Sequence, residues 1–267
     1  MRPAVALVLA SALEVVACGG GSSPAAPSVA APIPAAQACG ALAQLSGGLA
    51  IYNGADCNAA ASPVVKLNLR SADGTGLGGC TGTIIGPRKV LTAAHCLDEG
   101  VGIVRVWLGV ASEAEIDAQS FVHWPGYTFN SPSSFDVGVV TMAQDMPRTP
   151  VSILTSRAGQ VGETAIIAGW GRNQDSVTTM LRAGSTVLSA VSSTYLQTAF
   201  APPSSSVCSG DSGGPIFLSQ GGSWTLAGIT SATSGTACNE GTNFYQAVFN
   251  TSVRDFILQH APSTGTR

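Results

Sequence analysis

Short apolar runs, broken every few residues by glycine, proline or serine, fill the chain from Val64 to Val248. The clearest are Val64 to Leu69, Thr81 to Ile85, Val101 to Leu108, Val137 to Met142, Thr164 to Trp170, Ser185 to Val191, Pro215 to Leu218, Trp224 to Thr230 and Asn243 to Val248. Runs of this length, several of them alternating, predict strands, and the turn residues between them predict antiparallel pairing. One segment has another period. From about Thr251, the residues Val253, Phe256, Ile257 and His260 recur at i, i+3, i+4 and i+7. That spacing predicts a terminal surface helix packed by one face, with His260 as the polar end of the face. No internal repeat is evident.

Composition agrees with one exported, β-rich domain. The 267 residues include 32 glycines and only 10% charged side chains, so a sizeable core and frequent turns are expected. The net charge is −3 and no basic block occurs, so neither nucleic acid nor an anionic membrane surface is expected as a partner. Neither C-x-x-C nor H-E-x-x-H occurs, so no metal is expected.

Met1 to Ala17 is an apolar run with Arg2 at its start, too short and one-sided for a membrane span, and reads as an export signal over residues 1–17. Val15-Val16-Ala17-Cys18 then resembles a bacterial lipoprotein cleavage box, in which the signal is removed before a cysteine that becomes acylated. Glu14 is an awkward charge inside that signal, and plain secretion is the alternative. Gly19 to Pro24, and the alanine- and proline-rich stretch to about Ala36, cannot bury a core and are expected to form an extended tether. Residues 18–50 are therefore expected to be linker and pro-segment, and 51–267 the folded domain. The expected location is the cell envelope, at the outer membrane because Gly19 gives no reason for inner-membrane retention, or the medium. Membrane contact is expected only through Cys18. Seven cysteines are an odd number for an exported chain; setting Cys18 aside leaves six, enough for three bridges.

The candidate chemistry begins with Cys208-Ser209-Gly210-Asp211-Ser212-Gly213-Gly214-Pro215, which sets one serine between glycines with an acid before it. A serine hydroxyl is a poor nucleophile near neutrality, so this reading requires a base and an orienting acid elsewhere. Thr92-Ala93-Ala94-His95-Cys96 ends an apolar run in an imidazole, and Ser134-Phe135-Asp136-Val137-Gly138-Val139-Val140 begins another with an acid. Gly210 to Gly214 also satisfies G-x-S-x-G, but an α/β-hydrolase needs its acid and then its histidine after the serine. Only His260 follows Ser212, and the acid near it, Asp255, shares the terminal segment. A subtilisin-like enzyme would begin with its aspartate.

The order His95, Asp136, Ser212 and the three motifs resemble the chymotrypsin-like (trypsin-like) serine proteases. Gly169-Trp170-Gly171 and Phe244-Tyr245-Gln246-Ala247-Val248 extend the resemblance along most of the chain after Ile51. It implies an all-β fold of two packed six-stranded antiparallel Greek-key barrels, about 51–155 and 156–250, with a C-terminal helix. It further implies a monomer that acts on protein or peptide substrates without a cofactor. Ser212 would attack the scissile carbonyl, His95 would take and return the proton, and Asp136 would orient the ring. The N–H groups of Gly210 and Ser212 would form the oxyanion hole. The family pairings are Cys80 with Cys96 and Cys208 with Cys238. Cys39 and Cys57 remain, and their bridge would hold the pro-segment after cleavage.

Ile51-Tyr52-Asn53-Gly54 resembles the start of mature family members, whose freed isoleucine amine pairs with the aspartate beside the nucleophile, here Asp211; an ordinary strand residue is the alternative. Ser231 matches the serine that supports the buried aspartate, or is a plain strand serine. Alignment on Cys208 and Cys238 puts the floor of the pocket for the residue before the cut at Ser206, and its walls at Thr233 and Asn243. With no acid on the floor and side chains on both walls, small aliphatic residues are expected there. His123 is assigned no chemistry. Two other classes stay open: a protease-like binding module, though such modules usually lack a triad residue, and a surface-tethered structural protein, which leaves the triad unexplained.

Overall fold

The computed structural model describes residues 51–267 apart from 61, 99, 130, 132, 133, 174, 175, 177 and 178, together with Ala38. The expected signal, Cys18, the tether and Cys39 lie outside the described residues. Strand β1 (Ala55–Asp56) is followed by β2 (Val64–Arg70), β3 (Gly76–Gly86), β4 (Lys89–Thr92), β5 (Ile103–Trp107), β6 (Ile116–His123) and β7 (Gly138–Met142). The second half holds β8 (Thr164–Gly169), β9 (Arg182–Val191), β10 (Tyr195–Ala199), β11 (Pro215–Gln220), β12 (Ser223–Thr233) and β13 (Thr242–Ala247), and the helix α1 (Thr251–His260) follows.

These strands close into two six-stranded antiparallel barrels. The first runs β2-β3-β4-β7-β6-β5 and back to β2. The second runs β8-β9-β10-β13-β12-β11 and back to β8, with β1 added along β9. Numbered within each barrel, both orders are first, second, third, sixth, fifth, fourth. One strand order is thus used twice by sequences that show no repeat. Val64, Leu67, Ile84, Val90, Leu91, Val106 and Val139 fill the first barrel, and Ile167, Leu188, Leu196, Ile216, Leu218 and Tyr245 fill the second. Each such side chain contributes about 1.5–3 kcal/mol by leaving water.

All nine expected runs lie on strands. Strands β1, β4, β6 and β10 were not among them. β6, with the sequence IDAQSFVH, buries only its first residue. It is held by pairing with β5 and β7 rather than by apolar content. β1 has two residues and β4 four, too few for a period to emerge, and β10, with the sequence YLQTA, buries the polar Thr198 beside Leu196, so it shows no apolar run.

The helix begins where expected. Asn250 caps it, its side-chain oxygen accepting the Val253 N–H at 3.2 Å. Val253, Phe256 and Ile257 are buried. Phe256 packs at 5.6 Å from Trp124, which meets Phe135 edge-on at 4.8 Å, and the His260 ring lies 4.7 Å from Phe256. The helix that ends the second half therefore braces the first-barrel loop beside Asp136. No helix among the described residues is long and apolar enough to cross a membrane.

Candidate active site

His95 and Asp136 are brought together by the pairing of β4 with β7. The register sets Thr92 opposite Gly138, so the 3-10 turn Ala94–Cys96 after β4 lies beside the residues just before β7. His95 Nδ1 is 2.8 Å from Asp136 Oδ2, and the His95 backbone N–H donates to Oδ1 at 3.0 Å. Ser231, on β12 of the other barrel, donates its hydroxyl to Oδ2 at 2.6 Å. Asp136 is 3% exposed. A buried carboxylate that accepts three such bonds holds the ring with Nδ1 as the donor, leaving Nε2 as the acceptor. The backbone N–H of Asp136 donates to Gln246 Oε1 at 3.0 Å, and the Gln246 amide donates onward to Thr194 O at 2.9 Å. Gln246 was not singled out from the sequence. Its signal there is a polar residue inside the otherwise apolar and aromatic run Phe244 to Val248.

Ser212 lies on the loop that enters β11. Gly213 N–H donates to Thr230 O at 2.8 Å and Thr230 N–H to Gly214 O at 2.7 Å, which brings Ser212 alongside Ser231. The other side of the loop faces the first barrel. Thr81 N–H donates to Ser212 O at 2.8 Å, and a Cβ on Gly213 would come within 2.0 Å of Thr92 Oγ1 and 3.0 Å of Ala93 N. The serine loop thus abuts the segment that leads into His95. Among the described residues the Ser212 hydroxyl makes no hydrogen bond, as is common before substrate aligns such a pair.

Gly210, at φ +98°, adopts a conformation that side chains rarely enter. Its carbonyl accepts the Thr81 hydroxyl at 2.8 Å, and Ser209 O accepts Arg172 N–H at 2.9 Å. In that trans peptide the Gly210 N–H therefore points away from Arg172. Among the described residues neither the Gly210 nor the Ser212 N–H donates to a protein acceptor. Two free donors flanking a serine are suited to an oxyanion. Thr81 also accepts Trp170 N–H at 2.9 Å. It was missed because a threonine after a cysteine carries no sequence signal.

Asp211 is fully buried. Its oxygens accept Gly171 N–H and Cys208 N–H, each at 2.8 Å. A Cβ on Gly169 would come within 2.2 Å of Asp211 Oδ1, and one on Gly171 within 2.6 Å of its Cγ. Gly169-Trp170-Gly171 is therefore a cradle for this carboxylate. Burial pushes the Asp211 carboxyl up to about 7, with the Cys208 and Gly171 N–H groups and the charge of Arg182 opposing the rise. In the intact chain, Ile51 offers no ammonium to it. Ile51 is 1% exposed and packs in the second barrel's core, while Tyr52 pairs in both directions with Ser206.

Ser206 and Asn243 meet. Both are fully buried, and the Asn243 amide donates to Ser206 Oγ at 3.0 Å and Thr198 Oγ1 at 3.3 Å. Thr233 is opposite Asn243 in the β12–β13 register but is exposed, at the rim of a surface cleft that contains Asp136. Cys80–Cys96 ties β3 to the His95 turn, and Cys208–Cys238 ties the serine loop to the segment after β12. Cys57 is also disulfide-bonded, and its partner lies outside the described residues. Cys80 and Cys96 sit with His95 in a cluster of ligand-type atoms, but both sulfurs are spent in their bridge.

The family model described as Trypsin matches residues 51–257, and the chain belongs to that family. It is 28% identical over 198 residues to vitamin K-dependent protein C of Mus musculus, covering 62% of this chain and 42% of that protein. It is 30% identical over 165 residues to a chymotrypsin of Phaedon cochleariae, covering 52% of this chain and 59% of that one. These two alignments span well under two thirds of either relative. The chain is also 27% identical to chymotrypsin-like elastase family member 1 of Bos taurus over 187 residues, covering 60% of this chain and 70% of that protein. A solved structure of HL collagenase shares the fold, with a TM-score of 0.63 at 22% identity, over 82% of this chain and 98% of that one.

Proposed function

We infer that the chain is a serine endopeptidase that hydrolyses protein or peptide substrates through an acyl-enzyme. The observation that carries this reading is the 2.8 Å contact of His95 Nδ1 with Asp136, a carboxylate also held by Ser231. Ser212 is the nucleophile, His95 the base and then the acid, and Asp136 the group that fixes the tautomer. The unpartnered N–H groups of Gly210 and Ser212 receive the charge that develops on the carbonyl oxygen, each supplying about 3–4 kcal/mol at the transition state. The test is a fluorophosphonate probe on the processed protein. Labelling of wild type but not of Ser212→Ala supports the reading, and equal labelling of both overturns it.

The enzyme is made as a zymogen. Cleavage before Ile51 frees an ammonium that turns inward to pair with Asp211, whose burial in the uncut chain disfavours the ionised form. Residues 51–267 form the protease domain, and Cys57, bridged to Cys39, keeps the pro-segment attached. Because the Asn243 amide caps Ser206, the first pocket accepts alanine, valine or another small side chain, and Ala50 before Ile51 matches that preference. Export with a lipid on Cys18 follows from the Val15 to Cys18 box, in a monomer that otherwise makes no membrane contact. Recovery of wild type in the detergent phase, and of Cys18→Ser in the aqueous phase, is the result expected.

A further inference from the structure

Thr81 grips the serine loop at two points. It lies on β3 of the first barrel, directly after Cys80, and is fully buried. Its hydroxyl donates to Gly210 O at 2.8 Å, and its backbone N–H donates to Ser212 O at 2.8 Å. Those carbonyls belong to the same two residues whose N–H groups donate to no protein acceptor among the described residues. The hydroxyl also accepts Trp170 N–H at 2.9 Å, so its one proton and an acceptor lone pair are both in use. Thr81 is in turn held from the side of the base. Its carbonyl accepts the Thr92 hydroxyl at 2.9 Å, and Cys80 before it is bridged to Cys96, the neighbour of His95. The loop packs closely on this residue: a Cβ on Gly213 would come within 2.4 Å of Thr81 O, and one on Gly214 within 3.1 Å of Thr81 Cγ2.

We propose that the Thr81 hydroxyl is the positioning group of the oxyanion hole, setting the direction of the Gly210 N–H and, through the bracketed segment Gly210 to Ser212, that of the Ser212 N–H. The proposal rests on the serine-peptidase reading. A peptide unit is planar, so fixing its oxygen and its nitrogen fixes the plane. The unit after Gly210 is held at its oxygen by Thr81 and at its nitrogen by the Asp211 N–H, which donates to Cys208 O at 3.0 Å. The unit before Gly210 is held by Arg172 N–H on Ser209 O at 2.9 Å. Between them Gly210, at φ +98°, has no side chain to restrain rotation, and the hydroxyl bond supplies that restraint. Removing the hydroxyl leaves the buried Trp170 N–H without its acceptor and lets the half-buried Gly210 carbonyl turn toward water. The donors then miss the place where charge develops, and their value depends on that placement.

The experiment uses the processed, full-length enzyme, a tetrapeptide p-nitroanilide ending in Ala, and two inhibitors of that same sequence, the peptide aldehyde and the peptide alcohol. Ser212 Oγ adds to the aldehyde carbon, its proton passes to His95, and the carbonyl electron pair becomes an oxyanion between the Gly210 and Ser212 N–H groups. The alcohol forms no such bond. Deleting one oxyanion donor costs about 10²–10³ in kcat, so misdirecting it through Thr81→Val is expected to lower kcat at least about tenfold, with KM within about threefold. The inhibition constant of the aldehyde is expected to rise at least about tenfold, and that of the alcohol to stay within about threefold. Thr81→Ser, which restores the hydroxyl, is expected to stay within about threefold of wild type throughout. A Thr81→Val kcat within about threefold of wild type, equal weakening of aldehyde and alcohol, or a Thr81→Ser as impaired as Thr81→Val overturns the proposal. Thr81→Ala is read by the same thresholds where Thr81→Val does not fold. If wild type cleaves no peptide and Ser212 takes no fluorophosphonate, the peptidase reading falls and takes this proposal with it. Cleavage by wild type that the variants match overturns this proposal alone.

Discussion

Asp136 and Gln246 are joined across the two barrels: the Asp136 backbone N–H, at the mouth of β7, donates to the Gln246 side chain on β13 at 3.0 Å. Both residues are buried, so replacing the amide leaves an N–H without a partner, at a cost of about 1–3 kcal/mol. Gln246→Leu is expected to lower the urea midpoint accordingly, and to lower kcat with little change in KM, because the carboxylate that orients His95 loses its anchor. Urea unfolding in the Ser212→Ala background and steady-state kinetics check the two parts. A wild-type kcat in Gln246→Leu would show that Ser231 and the His95 N–H suffice.

Stability of the intact chain is expected to fall as pH rises from about 4 to about 7. Burial holds the folded Asp211 carboxyl at about 7, whereas in the unfolded chain it titrates near 3.9. Within that window the folded state retains a proton that the unfolded state has lost, so each rise in pH favours unfolding. Asp73 and Glu240 are shifted the opposite way, so their linkage lies at and below the ordinary carboxylate range. The check is the urea midpoint of intact Ser212→Ala at pH 5 and pH 7.5, with Asp211→Asn expected to flatten the difference.

Processing is expected to reverse that trend. An N-terminus at Ile51, found by mass spectrometry, should accompany activity, with the released segment still attached through Cys57 until reduction. Once the ammonium faces Asp211, the ionised carboxylate is the favoured form, and stability at pH 7.5 should exceed that of the intact chain. Separating the pair again by substitution would cost several kcal/mol. Full activity from an uncut chain would remove the Ile51 amine from the mechanism.

Asn243→Gly is expected to open the space behind Ser206. On peptides differing only in the residue before the cut, preference should move from Ala or Val toward Phe, by at least roughly 10- to 100-fold in kcat/KM ratio, the scale set by a single methylene in an apolar pocket. An unchanged preference would mean that Asn243 does not limit the pocket. Ser206→Asp should in turn raise cleavage after Arg, and failure to do so would displace the floor from Ser206.

Much of this architecture is legible along the chain. Alternating and apolar runs mark nine strands because a strand buried on one or both faces must carry them, and the 3.6-residue period of Val253, Phe256, Ile257 and His260 marks α1 for the same reason. The residue types of a nucleophile, a base and an acid are likewise written locally, in Ser212, His95 and Asp136. β6 was not legible, because its exposed side chains leave no pattern and its place is decided by the strands on either side.

Relations between distant residues were decided only by closure of the barrels. Thr81 steadies the Gly210 carbonyl, Gln246 holds Asp136 and the Asn243 amide seals Ser206. Each partner is an ordinary polar residue whose meaning depends on a neighbour 37 to 129 positions away. Gly169 and Gly171 show the division most plainly. The motif can be read from the sequence, but its cause, a buried carboxylate that leaves no room for a Cβ, exists only once Asp211 is folded against them. Local periodicity follows from burial on one face of one element, and where that burial occurs the element's own sequence displays it. A hydrogen bond between elements depends on register and closure, which the whole chain sets together.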